Sequence, residues 1–198
     1  VSLEMYKMSD FGEKEETIAE LALLCEKYET WINFLDERVS SIADKGTANR
    51  HIDNCRQCLK RMRDGVALLK NDSDIMFAFQ LMNRAMLMQQ LHYNLPLQKW
   101  ICQDGNTIHL ENPVSVLPDV KNPDTWYGDK SRYGKWRPFQ LAFILMNLKS
   151  MAKKDSDERS IVDLIWFPTG GGKTEAYLGL SAYTIFIRRI KDKSNAGT

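Results

Sequence analysis

One run constrains this chain more than any other: Trp166-Phe167-Pro168-Thr169-Gly170-Gly171-Gly172-Lys173-Thr174-Glu175. It follows residues 161–167, a short β-branched and aromatic stretch that is apolar on both faces except at Asp163, which predicts a buried strand of a parallel sheet. Residues 175–190 read as a helix, with Arg188, Arg189 and Lys191 where cations offset the negative pole of the macrodipole. Between the two, Gly170, Gly171 and Gly172 permit positive φ and let backbone N–H groups approach phosphate oxygens with no Cβ in the way. The helix start adds its own positive end. Lys173 then supplies the charge for the β- and γ-phosphates of ATP, as the catalytic group, and the Thr174 hydroxyl a ligand for Mg²⁺. The strict pattern asks for Gly six residues before the lysine, where this chain has Phe167. The plain alternative is a glycine-rich turn beside a surface lysine.

A second element lies upstream, Trp136-Arg137-Pro138-Phe139-Gln140-Leu141, opening a predicted buried helix over 139–151 with Pro138 in its first turn. The amide of Gln140 can donate to one ring nitrogen of adenine and accept from the exocyclic amine. Phe139 or Trp136 could supply an apolar face for the base. The segment from Pro168 to Thr174 resembles the Pro-Thr-Gly and Gly-Lys-Thr loop of superfamily-two helicases, and 137–140 their Arg-Pro-aromatic-Gln element. That resemblance implies nucleotide binding by Arg137, Phe139, Gln140, Thr169, Gly170, Gly171, Gly172, Lys173 and Thr174. The spacing of 33 residues from Gln140 to Lys173 is wide for the class, and the polar stretch 149–160 accounts for it.

More narrowly, residues 136–190, and more loosely 17–93, resemble the large helicase of the bacterial DISARM phage-defence system. The resemblance implies an ATP-driven motor acting on foreign DNA, beside a partner protein subunit and a methyltransferase.

The first half is helical by pattern. Ile18, Leu21, Cys25, Tyr28, Ile32, Leu35, Val39 and Ile42 recur at steps of three and four, predicting one long helix. Ile52, Cys55, Leu59, Met62, Val66 and Leu69 repeat that spacing, and a break at 44–47 folds the two into an antiparallel hairpin. A third helix, from Asp74 to about Tyr93, is apolar nearly all round and should be central, its methionines filling core, with Asn83 and Arg84 turned toward the nucleotide part. From 95 to 133 the periodicity dissolves among prolines and glycines, leaving 107–110 as a short strand.

The expected organisation is an α-helical N-terminal part, residues 1–94, an irregular segment, 95–135, and the beginning of an α/β RecA-like parallel-sheet nucleotide-binding domain, 136–198. Because the chain opens on Val1 and stops after the helix that follows the loop, it reads as part of a longer protein, inactive alone.

Composition bounds the rest. A net charge of +1 gives no global field to attract nucleic acid, so DNA contacts are expected mainly elsewhere. The basic clusters at Lys60, Arg61, Arg63 and at 188–193 read as solvated faces or helix ends. No run reaches the ~20 apolar residues of a membrane span, and no apolar leader opens the chain, which points to the cytoplasm. Cys25, Cys55, Cys58 and Cys102 then read as free thiols, and the CxxC at 55–58 has no second pair to complete a zinc site. Two other functions fit less well. One is a helical module that docks a partner subunit, with the nucleotide loop inactive; the other is a small-molecule kinase, against which Gln140 and the helical leader argue.

Overall fold

The computed structural model describes residues 1–10, 12–128, 134–166 and 170–192. It is mostly helical, built from α1 (Lys14–Asp36), α2 (Lys45–Asn71), α3 (Ser73–Tyr93), α4 (Pro138–Ala152) and α5 (Lys173–Lys191), with one antiparallel hairpin of β1 (Trp100–Gln103) and β2 (Thr107–Leu110).

The α1–α2 hairpin forms as its periodicity requires. Leu21, Cys25 and Ile32 of α1 and Ile52, Leu59, Met62 and Leu69 of α2 are buried. Cross-links at Glu29–Arg63 and from Lys14 to the Lys70 carbonyl run in opposite numerical directions, so the helices are antiparallel. The first seam does not extend to Ile42 as one helix. It stops at Asp36, Val39 is buried in a short 3-10 turn (Val39–Ser41), and Ile42 is exposed. Asp44 then caps α2 by accepting from the Thr47 N–H at 2.9 Å.

Asp72 caps α3 in the same way, accepting from Asp74 and Ile75. This helix is central, packing on α2 and α5, with Ile75, Phe79, Met82, Met86, Leu87 and Leu91 inside. Phe77 and Met88 face outward instead. Asn83 turns inward as expected, and Arg84 pairs with Asp10 at 2.9 Å.

Helix α4 lies between α2 and α5 and is buried on most sides. Gly65 makes the α2 crossing close: a Cβ there would run into the Leu145 carbonyl. Gly179 of α5 similarly faces Trp136, whose ring a Cβ would meet at 2.7 Å. Residues at the very start of the chain complete this layer, with the Met5 N–H donating to the Gly134 carbonyl (2.6 Å) and the Trp136 N–H to that of Leu3 (2.8 Å).

No parallel sheet forms among the described residues. The segment expected to be its strand is unpaired over its described residues, 161–166, and residue 167 lies outside them. The reason is physical: an extended chain becomes a strand only by hydrogen-bonding to a neighbour, and no other extended segment among the described residues runs beside it. Its alternation survives nonetheless. Asp163 and Ile165 turn toward the helices, while Val162, Leu164 and Trp166 are 93%, 81% and 88% exposed. The strand expected at 107–110 does form, paired with 100–103 through a turn in which Asp104 and Gly105 both take positive φ.

Candidate nucleotide site

A cleft of about 460 Å³ opens where the N-terminus of α5 meets the start of α4, within the range of small-ligand sites. It is lined by Gln90, Lys135, Arg137, Gln140, Gly170, Gly171, Gly172, Lys173, Thr174 and Glu175. The two motifs, 33 residues apart in sequence, are therefore brought together.

Each half has a local cause. Pro138 fixes the first turn of α4, and Gln140 at its third position reaches back so that its Oε1 accepts from the Arg137 N–H at 2.7 Å. Gly172, in the left-handed region at φ +83°, turns the chain into α5 with no side chain capping the helix. Gly170 is also left-handed, at φ +80°, with open space where a Cβ would stand. The helix thus begins at Lys173, two residues before the expected Glu175, and its lysine and threonine sit in its first turn.

The halves are bonded directly. The Gln140 Nε2 donates to the Gly172 carbonyl at 2.7 Å, and an Arg137 Nη1–H to the Gly171 carbonyl at 2.8 Å. Gln140 is only 4% exposed, so both ends of its amide are engaged inside the chain, as helix cap and as loop anchor. A Cβ on Gly172 would lie 2.7 Å from that Nε2 and 3.2 Å from Oε2 of Glu175. That oxygen is buried and has no hydrogen-bond partner among the described residues. Phe139 is half-buried, Arg137 and Thr174 are exposed, and Thr169 lies outside the described residues.

Behind the cleft, Trp136 donates from Nε1 to Oδ1 of Asn83 at 2.7 Å, and Asn83 Nδ2 donates to the Phe79 carbonyl at 2.8 Å. Both residues are buried, so α3 fixes the root of the Arg137–Gln140 element. Gln90 of the same helix accepts from the Gly134 N–H at 2.8 Å. Sequence reasoning missed Gln90, Lys135 and Glu175 as lining residues. Adjacency to the motifs could have found the last two, whereas Gln90 arrives through a tertiary contact that leaves no local signal.

Elsewhere the chemistry is quiet. Burial pushes the Cys25 and Cys58 thiols up, away from the thiolate form that binds metals. No group of three or more metal-ligating side chains is gathered among the described residues, and no described helix is long and apolar enough to cross a membrane.

No family model matches the chain. Over 186 residues, 93% of its length, it is 37% identical to the DISARM protein DrmA of Bacillus paralicheniformis, of which it spans 15%. Along nearly its whole length, then, this chain is related to an N-terminal portion of the DISARM protein DrmA.

Proposed function

We propose that the chain forms the nucleotide-binding front of an ATP-driven motor that acts on DNA in bacterial anti-phage defence. One observation carries this reading: the uncapped start of α5 stands behind two left-handed glycines in a cleft that also holds Lys135, Arg137 and Lys173. The first-turn N–H groups of a helix have no acceptor within the helix, and with the positive end of the dipole they form an anion site. The lack of a Cβ at positions 170 and 172 keeps the backbone open to phosphate oxygens. The relationship to a DISARM protein supports the defence role.

In this reading the backbone amides of 170–174 and the Lys173 ammonium hold the β- and γ-phosphates, and the Thr174 hydroxyl holds Mg²⁺. Bound magnesium supplies neutralisation of the charge that develops on the phosphate oxygens. Arg137 lies beside the loop and can swing from the Gly171 carbonyl onto a phosphate. Gln140 reads adenine by exchanging its bond to the Gly172 carbonyl for bonds to the base, which ties base recognition to release of the loop. With a net charge of only +1 here, the DNA track is assigned mainly to the remaining length of the complete protein.

The test is Lys173→Ala in the full-length protein. DNA-stimulated ATP hydrolysis should disappear while the circular dichroism and melting temperature stay at wild type; undiminished turnover would remove the loop's assigned role.

A second reading, docking of a partner subunit, is favoured by the outward face of α1, where Trp31 and Phe34 are about half exposed. Since α2 and α3 pack directly on α4 and α5, deleting the helices would dismantle the core, and point changes are the cleaner probe. Trp31→Ala with Phe34→Ala should release a co-purifying subunit and spare ATPase; retained assembly counts against docking through this face.

A further inference from the structure

The two approaches to the glycine loop are held very differently. On one side, the loop carbonyls are bonded to Arg137 and Gln140 at the start of α4. On the other, the chain arrives through residues 161–166, which have no strand beside them among the described residues and expose four large apolar side chains. What holds this segment is Asp163. Its carboxylate takes both arms of the Arg61 guanidinium, Nη1 to Oδ1 and Nη2 to Oδ2, each at 2.7 Å. Both side chains are largely buried, and the fork-to-fork geometry fixes orientation as well as distance.

Arg61 does more than pair. Its Nη2 also donates to the Met146 carbonyl of α4 at 3.1 Å, and its Nε lies 3.6 Å from Glu158, whose other oxygen pairs with Lys149 of α4 at 2.9 Å. A single side chain on α2 therefore spans α4, which carries Gln140 and begins just after Arg137, and the segment that delivers the chain into the loop.

We propose that Arg61 is a positioning residue of the nucleotide site: by clamping Asp163 against α4 it sets the loop at the height where its amides and Lys173 meet a polyphosphate. It touches no ligand itself. The inference rests on the nucleotide reading of the loop. It also assigns α2 a role in the site beyond its packing on α4.

The experiment uses the full-length protein with magnesium, DNA and a fluorescent ATP analogue, reading analogue affinity, the KM for ATP and kcat. Arg61→Met should raise KM and weaken analogue binding by about tenfold while kcat changes by less than about threefold, because the loop is displaced before chemistry begins. Arg61→Lys, which keeps charge but not the fork, should fall between. Exchanging the pair, Arg61→Asp with Asp163→Arg, should recover part of the loss. If Arg61→Met does not yield folded protein, Asp163→Asn is read in the same way. A lowered melting temperature with unchanged KM and no rescue by the exchange would make the clamp merely structural and overturn the proposal. Lys173→Ala separates the two levels. Should it weaken analogue binding while the Arg61 variants bind as wild type, only the positioning role falls; should it bind the analogue as wild type, the nucleotide reading falls and this proposal with it.

Discussion

Helix α2 and the segment 161–166 are both apolar-patterned runs, yet one is a finished element and the other is half of one. In α2, every interior backbone group is satisfied within the helix, and the seam from Ile52 to Leu69 needs only neighbouring helices to cover it. The segment 161–166 has the alternation of a strand but not the pairing, and its outward residues Val162, Leu164 and Trp166 stand in solvent. Helices carry their hydrogen bonds with them; a parallel strand borrows them from elsewhere in the chain.

The well-formed helical crossing is the more sensitive of the two regions. Gly65→Val drives a side chain into the Leu145 carbonyl where α2 crosses α4, and it should lower stability by about 3 kcal/mol or prevent folding, measured by urea unfolding. A wild-type midpoint would mean the crossing is loose. Next comes Asn83→Ala, which strands the buried Trp136 indole N–H and should cost about 2 kcal/mol. Loss of nucleotide affinity in the full-length protein should accompany it, since Trp136 roots the Arg137–Gln140 element.

At the unfinished end the effect should be small. Val162→Thr with Leu164→Thr, both on the exposed edge, should change the stability of residues 1–198 by no more than about 0.5 kcal/mol. The same pair in the full-length protein sharpens the contrast: a much larger loss there would mean that other parts of that protein cover this face. Smallest of all is the surface pair Glu29–Arg63. Its hydrogen bonds hold the Glu29 carboxyl below the usual range, so its contribution is present at neutral pH and lost as pH falls through the folded value. Glu29→Gln should therefore shift the neutral melting temperature barely beyond error and not at all in acid.

The same contrast explains what could be read from the sequence. The three N-terminal helices announce themselves because their evidence is local: two seams at steps of three and four residues, a break at 44–47, and a run from Asp74 that is apolar nearly all round. The break after Asp36 was hidden, since Val39 stays buried in a 3-10 turn and so continues the apolar spacing without continuing the helix. The site's two motifs were legible as residue types, and the fold unites them. What Gln140 does with its amide was not, because the Gly172 carbonyl it holds is 32 residues away. Likewise Arg61 sits in a run of basic residues that looks like a solvated face. Lys60 and Arg63 do form exposed pairs, with Asp64 and Glu29. The one hint that Arg61 differs was Asp163, a lone carboxylate inside an apolar run, whose burial demands a partner. Leu3 and Met5 show the same limit: they close over the Trp136 segment by pairing across more than a hundred residues, with no periodicity to betray it.

The proposed role of the glycine loop at the head of α5 is to grip polyphosphate. Titrating the full-length protein with a fluorescent ATP analogue in magnesium, wild type against Lys173→Ala, tests it most directly. Saturable binding that the substitution weakens by at least about tenfold is the expected result. Equal binding by the two proteins, or none by a well-folded wild type, would contradict it.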